Sequence, residues 1–270
     1  QTSDDESGDV VFALFLEPCE PTHGSSSDSI IERVMSYVVE NWQPSPVMTH
    51  VELVVPLRSG SKYPVNFALY INSVSGWMGN RVDNYRYYLG VNANRWRAIP
   101  VFGKGAARLV RKTCDESVGV QYSLLRYVTA SKMFRGLSGL VPNKTRSAAH
   151  CATLTARILN NSLCGCLPHC ASWYGPASLF ADLSVNLRKK AVAPETTIMD
   201  PDTIAALRRV LHNSDDDLMS LAEDEWMRAI RALTLKTAAS ETHGDYAMQK
   251  MTQKQLATAL LRWSVLQHST

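Results

Sequence analysis

Two short segments of the 270-residue chain carry residue types that can do covalent chemistry. SAAHCATLTARIL, residues 147–159, places Cys151 near the start of an apolar-periodic stretch, and THVELVV, residues 49–55, opens a strand-like run with His50 and Glu52. A helix N-terminus carries partial positive charge, which favours a cysteine there as thiolate. A thiol nucleophile also needs an imidazole to take its proton and a third polar group to orient that imidazole. His50 suits the first task if its strand packs against the Cys-bearing helix. Glu52 follows two residues on, so it points to the same face of an extended strand and can support the ring.

Each of these residues also has a plainer reading. A cysteine among Leu and Ile on a helix is usually a small core residue. A strand-edge histidine is often solvated, and Glu52 can pair with an arginine such as Arg58. His150, next to the thiol, is set aside as the base, because consecutive helical residues point about 100° apart. The cluster CGCLPHC holds Cys164, Cys166, His169 and Cys170. Its spacing is too compressed for an ordinary zinc finger or knuckle. A loop of core and surface thiols is the first reading, with a metal or a local disulfide as the alternatives, and no metal is assigned.

The elements that must position these groups follow from periodicity. Residues 9–17 form a continuous apolar run of strand length, closed by Pro18. Ser27 or Ser29 can cap a helix over 30–42, which Pro44 and Pro46 end. HVELVV and VNFALYI read as an antiparallel hairpin around the RSGSKYP turn. Residues 96–102 give a further strand, and helices are expected over 105–119 and 121–134. Ser147 is expected to cap the helix that carries Cys151. After Pro194 the pattern becomes purely helical, with three amphipathic segments and caps at Asp200 and Ser214.

The order of these pieces resembles the circularly permuted NlpC-type branch of the papain-like superfamily, which includes lecithin:retinol acyltransferase-like proteins, bacterial amidases and proteins of large DNA viruses. Gly8 and Asp9 match the Gly-Asp before that family's first strand, and Thr49 to Leu53 match its S/T-H-V-x-L pattern. Gly119 and Tyr122 match its Gly-x-x-Tyr, Cys151 its late nucleophile, and Gly175, Pro176 and Leu179 its closing segment. The resemblance covers roughly residues 8–185. It departs at Glu52, where the family often has Gly, and at the third polar residue, for which the following strand offers Asn66, Tyr70 or Asn72.

The resemblance implies an α+β fold: a permuted papain-like domain over residues 8–190, its antiparallel sheet packed on the Cys-bearing helix, with a helical extension over 195–270. It implies a cysteine hydrolase or acyltransferase of amidase, peptidase or thioesterase type, working through an acyl-thioester. Cys151 would be the nucleophile, His50 the base and then acid, Glu52 or Asn66 the orienter, and Tyr122 a contributor to the oxyanion site; no cofactor is required. The alternative is a catalytically retired structural or interaction protein of the same fold, such as a virion component, binding a protein partner through its C-terminal helices.

Composition bounds the partners. A net charge of +3 with scattered Lys and Arg gives no argument for nucleic acid. No apolar run reaches the roughly 18 residues of a membrane span, and the acidic N-terminus has no signal-peptide pattern. Six cysteines are too sparse for a disulfide scaffold, which favours a reducing compartment, host cytoplasm or virion in a viral setting. The expected substrate is a peptide, a lipid ester or a protein conjugate.

Overall fold

A computed structural model describes residues 10–18, 46–58, 65–72, 78–80, 93–118, 120, 149–190, 199–212 and 221–266. The expectations that rest on Gly8, Asp9, Ser27, Ser29, residues 30–42, Gly119, residues 121–134, Ser147 and Ser214 lie outside that set. The architecture is α+β. Five strands, β1 (Val10–Leu16), β2 (His50–Arg58), β3 (Val65–Asn72), β4 (Met78–Asn80) and β5 (Trp96–Phe102), form one antiparallel sheet in the order β4-β3-β2-β1-β5. The described helices are α1 (Ala106–Glu116), α2 (Cys151–Ser162), α3 (Pro176–Lys190), α4 (Pro201–His212), α5 (Glu223–His243) and α6 (Tyr246–Leu266).

Both faces of the sheet are covered, which explains the unbroken apolar run of β1: a strand with only one buried face would alternate. Val11, Ala13, Phe15, Val51, Leu53 and Val55 join one core with residues of α1, α2 and α3. Phe12, Leu14, Val54, Trp96 and Ala98 join a second core with Trp226, Ile230, Leu256, Leu260 and Trp263 from α5 and α6. The C-terminal helices therefore complete the core of the sheet. The boundary near residue 195 marks a change of secondary structure, while the packing runs across it.

Prolines fall where strand hydrogen bonding permits them. Pro100 is on β5, at the sheet's edge, and Pro56 lies just past Val54, where the β1 pairing ends. Capping fixes the C-terminal helices. Asp200 accepts from the Thr203 backbone N–H and hydroxyl, both at 2.8 Å, at the start of α4. Gly244, at φ 73°, turns the chain between α5 and α6, and Asp245 Oδ1 then caps α6 by accepting from the N–H groups of Ala247 and Met248.

The edge strand β5 is tied to α6 by a buried cation. Arg97 Nε donates to Gln253 Oε1 at 2.7 Å, and Nη1 stands 3.4 Å from Glu17 Oε1. Its guanidinium lies 4.6 Å over the Phe180 ring. Glu17 in turn receives Lys250 and Lys254 at 3.2 and 2.9 Å.

Candidate active site

Helix α2 is buried on nearly every side, as a helix between a sheet and other helices must be, and its buried residues include Thr153, Thr155 and Ser162. It begins one residue after His150, whose backbone is extended (φ −99°, ψ 171°) and whose carbonyl accepts the first helical bond, from Leu154 N–H. Cys151 is thus the first helical residue, closer to the positive end of the helix than a cap at Ser147 would place it. The thiol is fully buried.

His50 is the first residue of β2 and sits across from Leu16 of β1. Thr49 fixes the entry to the strand, donating to the Leu16 carbonyl through both its N–H (2.9 Å) and its hydroxyl (3.2 Å). Register places His50, Glu52, Leu14, Val54 and Trp96 on one face of the sheet, and Trp96 stands edge-on to the imidazole at 6.4 Å. Cys151 belongs to the core on the other face. His50 stands where the sheet ends, and its imidazole interacts electrostatically with the Cys151 sulfur at the helix terminus. Glu52 Oε1 lies 2.9 Å from His50 Nε2.

Charge at this site is set by the partners in spite of burial. Burial alone would push the Cys151 thiol up, but the charge of His50, together with hydrogen bonds from His150 and His50, lowers it to about 6. Burial alone would lower His50, but the charge and hydrogen bond of Cys151, followed by those of Glu52, raise it to about 10. Both shifts favour the charged forms, thiolate and imidazolium, and the two groups titrate together. Glu52 adds to that pairing, with Cys151 making the larger contribution.

The remaining expected site residues fall elsewhere. Asn66 pairs with Leu57, at the far end of β2 from His50. At about 3.3 Å per residue the two are roughly 20 Å apart along the strand, so Asn66 cannot orient the imidazole. Tyr70 stands across from Leu53. Tyr122 lies outside the described residues. Gly175, Pro176 and Leu179 form the start of α3, where Ser178 Oγ bonds Gly175 N–H at 3.0 Å and Leu179 is wholly buried.

The CGCLPHC loop is dispersed rather than convergent. Cys164 is exposed, Cys166 approaches Asn160 Oδ1 at 3.8 Å, Cys170 approaches Ser172 at 3.3 Å, and His169 stacks on Trp173 at 4.0 Å. Among the described residues no group of three or more His, Cys, Asp or Glu is placed to hold a metal ion, and no disulfide joins the described cysteines. No helix among the described residues is long and apolar enough to cross a membrane.

His150 stands where the aim argument that sets it aside as the base does not apply. The 100° argument holds within a helix, and His150 is outside it, in extended backbone. Its ring is fully buried, bonds Thr153 Oγ1 through Nε2 at 2.7 Å and interacts with the Cys151 sulfur. HCAT carries no cap signal, because histidine is not among the favoured cap residues and its side chain makes no cap hydrogen bond.

No family model matches the chain, and no curated protein or solved structure matches it.

Proposed function

We propose that the protein is a cysteine hydrolase or acyltransferase that works through an acyl-thioester on Cys151. The observation that carries this reading is the array Cys151–His50–Glu52, in which a buried thiol at a helix N-terminus meets an imidazole backed by a carboxylate. Nothing in folding alone requires this combination: a buried cysteine without a base, such as Cys114, is pushed up by burial and stays an inert thiol.

In this reading the Cys151 thiolate attacks an amide or ester carbonyl, and the oxyanion is met by backbone N–H groups of the first turn of α2, which have no intrahelical partner. As the tetrahedral adduct collapses, the C–N or C–O bond breaks and the His50 imidazolium gives its proton to the leaving group. Water or an acceptor hydroxyl or amine then attacks the thioester while His50 takes its proton. Loss of the thiolate restores the starting pair and releases the acyl product. Glu52 holds the ring through both halves. The papain-like permuted arrangement belongs to the same proposal, supported by the chain order of strand, His-bearing strand and Cys-bearing helix around an antiparallel sheet.

A competing reading, an interaction protein whose site is spent, draws on the complete burial of the thiol. Labelling decides between them. Iodoacetamide at neutral pH should modify Cys151 faster than the other thiols, and an acyl-directed covalent probe should label the wild type and spare Cys151→Ala. Slow, unselective alkylation together with no probe labelling would support the spent site.

A further inference from the structure

Cations crowd around a single carboxylate where β1 and β5 end. Arg97 Nη1, Lys250 Nζ and Lys254 Nζ stand 3.4, 3.2 and 2.9 Å from the Glu17 carboxylate. Arg95 donates to the Glu17 backbone carbonyl from Nε and Nη2, at 2.9 and 2.7 Å. Glu241 is tied in only through a neutral amide, since Gln253 accepts from Arg97 Nε and donates to Glu241 Oε1. Arg188, 3.7 Å from Glu241 Oε2, answers that second carboxylate. Among the described residues the cluster thus holds more positive charge than its acids balance. Arg97 and Gln253 already fasten β5 to α6, and the lysines add like charges four residues apart on α6, a spacing that weakens a helix. Those lysines are also the accessible members, with 41% and 32% of the Lys250 and Lys254 side chains exposed against 1% of Arg97.

The cluster shares its end of the sheet with the candidate site. Glu17 follows Leu16, which pairs with His50 on one side and with Trp96, the neighbour of Arg97, on the other. His50 and Trp96 are therefore two strand spacings apart, about 10 Å. The Arg97 guanidinium lies over Phe180, which belongs to the same core as Cys151, so this cation is on the thiol's side of the sheet. We propose that Lys250 and Lys254, backed by Arg97, form an anion subsite of the Cys151–His50 centre that takes a carboxylate or phosphate group carried by the substrate. This deepens the hydrolase reading and rests on it. The substrate class narrows to acyl compounds with an anionic end about 10 Å from the carbonyl that reacts. Glu17 holds the ammonium groups in place while the subsite is empty and competes with the incoming anion.

Calorimetric titration of the full chain with octanedioate and, separately, with inorganic phosphate reads the subsite without turnover. Wild type should bind at least one of them, and the stronger titrant assigns the group as carboxylate or phosphate. The Lys250→Ala/Lys254→Ala double variant should bind it about tenfold more weakly, the scale of a lost charged hydrogen bond. Glu17→Gln removes the competitor and should bind it more tightly than wild type, which a purely structural ion pair would not produce. No binding of either titrant overturns the subsite, as does undiminished binding in the folded double variant or weaker binding in folded Glu17→Gln. Should the double variant not fold, Lys254→Ala alone decides by the same criterion. Turnover then ties the subsite to the thiol: the p-nitrophenyl monoester of octanedioic acid is compared with p-nitrophenyl octanoate. The kcat/KM preference for the charged ester should fall about tenfold in the double variant, carried by KM, and an unaltered preference overturns the link. Anion binding that weakens in the double variant, with neither ester hydrolysed by wild type, would remove the hydrolase reading and leave the anion site standing.

Discussion

Glu52 and His50 meet at 2.9 Å, yet the carboxylate side chain is wholly buried and the imidazole is 22% exposed. The buried partner is the fixed one and the accessible partner is the one that can trade protons. Strand alternation produces this directly, because residues two apart share a face and the first of them stands at the open end of the sheet.

Replacing that carboxylate tests its share. Glu52→Gln keeps the shape and a hydrogen-bonding oxygen but removes the charge, so the His50 pKa should fall. Less imidazolium then means less paired thiolate at neutral pH, and Cys151 alkylation should slow by up to about tenfold, the equivalent of one pKa unit. The thermal midpoint of unfolding should move little. Unchanged alkylation in a folded variant would remove Glu52 from the site.

The titration of the pair sets a window for turnover. Cys151 is lowered to about 6 and His50 raised to about 10. Below the first value the thiolate is reprotonated; above the second, His50 has no proton for the leaving group. A pH–rate profile with an acyl substrate should be flat between those limits and fall on both sides. Alkylation, which needs no acid, should rise through the lower limit and stay high through the upper.

Cutting the chain near residue 195 should abolish cooperative folding. Phe12, Leu14, Val54, Trp96 and Ala98 would lose the cover of α5 and α6. The expected product is insoluble, or compact with strong dye binding and a broad melt. A sharp calorimetric transition for the truncated chain would show that the sheet and first three helices suffice. As a milder probe, Leu256→Ala should cost about 2–5 kcal/mol in denaturant unfolding, the usual range for a fully buried leucine.

Arg97 should matter far more than the lysines around the same carboxylate. It is 1% exposed, and Arg97→Ala strands Gln253 and removes a buried charge from Glu17, for an expected loss of about 3 kcal/mol. Lys254 is 32% exposed, and Lys254→Ala should cost less than about 1 kcal/mol. Urea titration of both variants checks the ordering.

What the sequence made legible was what local patterning controls. The run 9–17, the HVELVV and VNFALYI pair and residues 96–102 are strands because apolar, β-branched stretches between turn residues leave few alternatives, and the strands β1, β2, β3 and β5 lie there. The His50–Glu52 pair followed from a period of two. The helix start before Cys151 did not follow: serine is a good cap anywhere, whereas the actual boundary depends on how His150 packs. Asn66 failed for a related reason, since register along a hairpin is fixed by the turn and was not readable from residue type. The role of the C-terminal helices was hidden because an amphipathic stripe says that something is covered without saying what.

The two-sided core bears on how the protein comes into being. Helices α5 and α6 are the last described segments to be synthesised, and they seal the sheet face that Glu52 shares with Leu14 and Val54. On the ribosome, the histidine strand and the cysteine helix can pack together long before that seal exists, with the carboxylate still wet. On the proposed function, reactive sulfur is then a property of the sealed sheet, and a polypeptide that stops short of α5 lacks it.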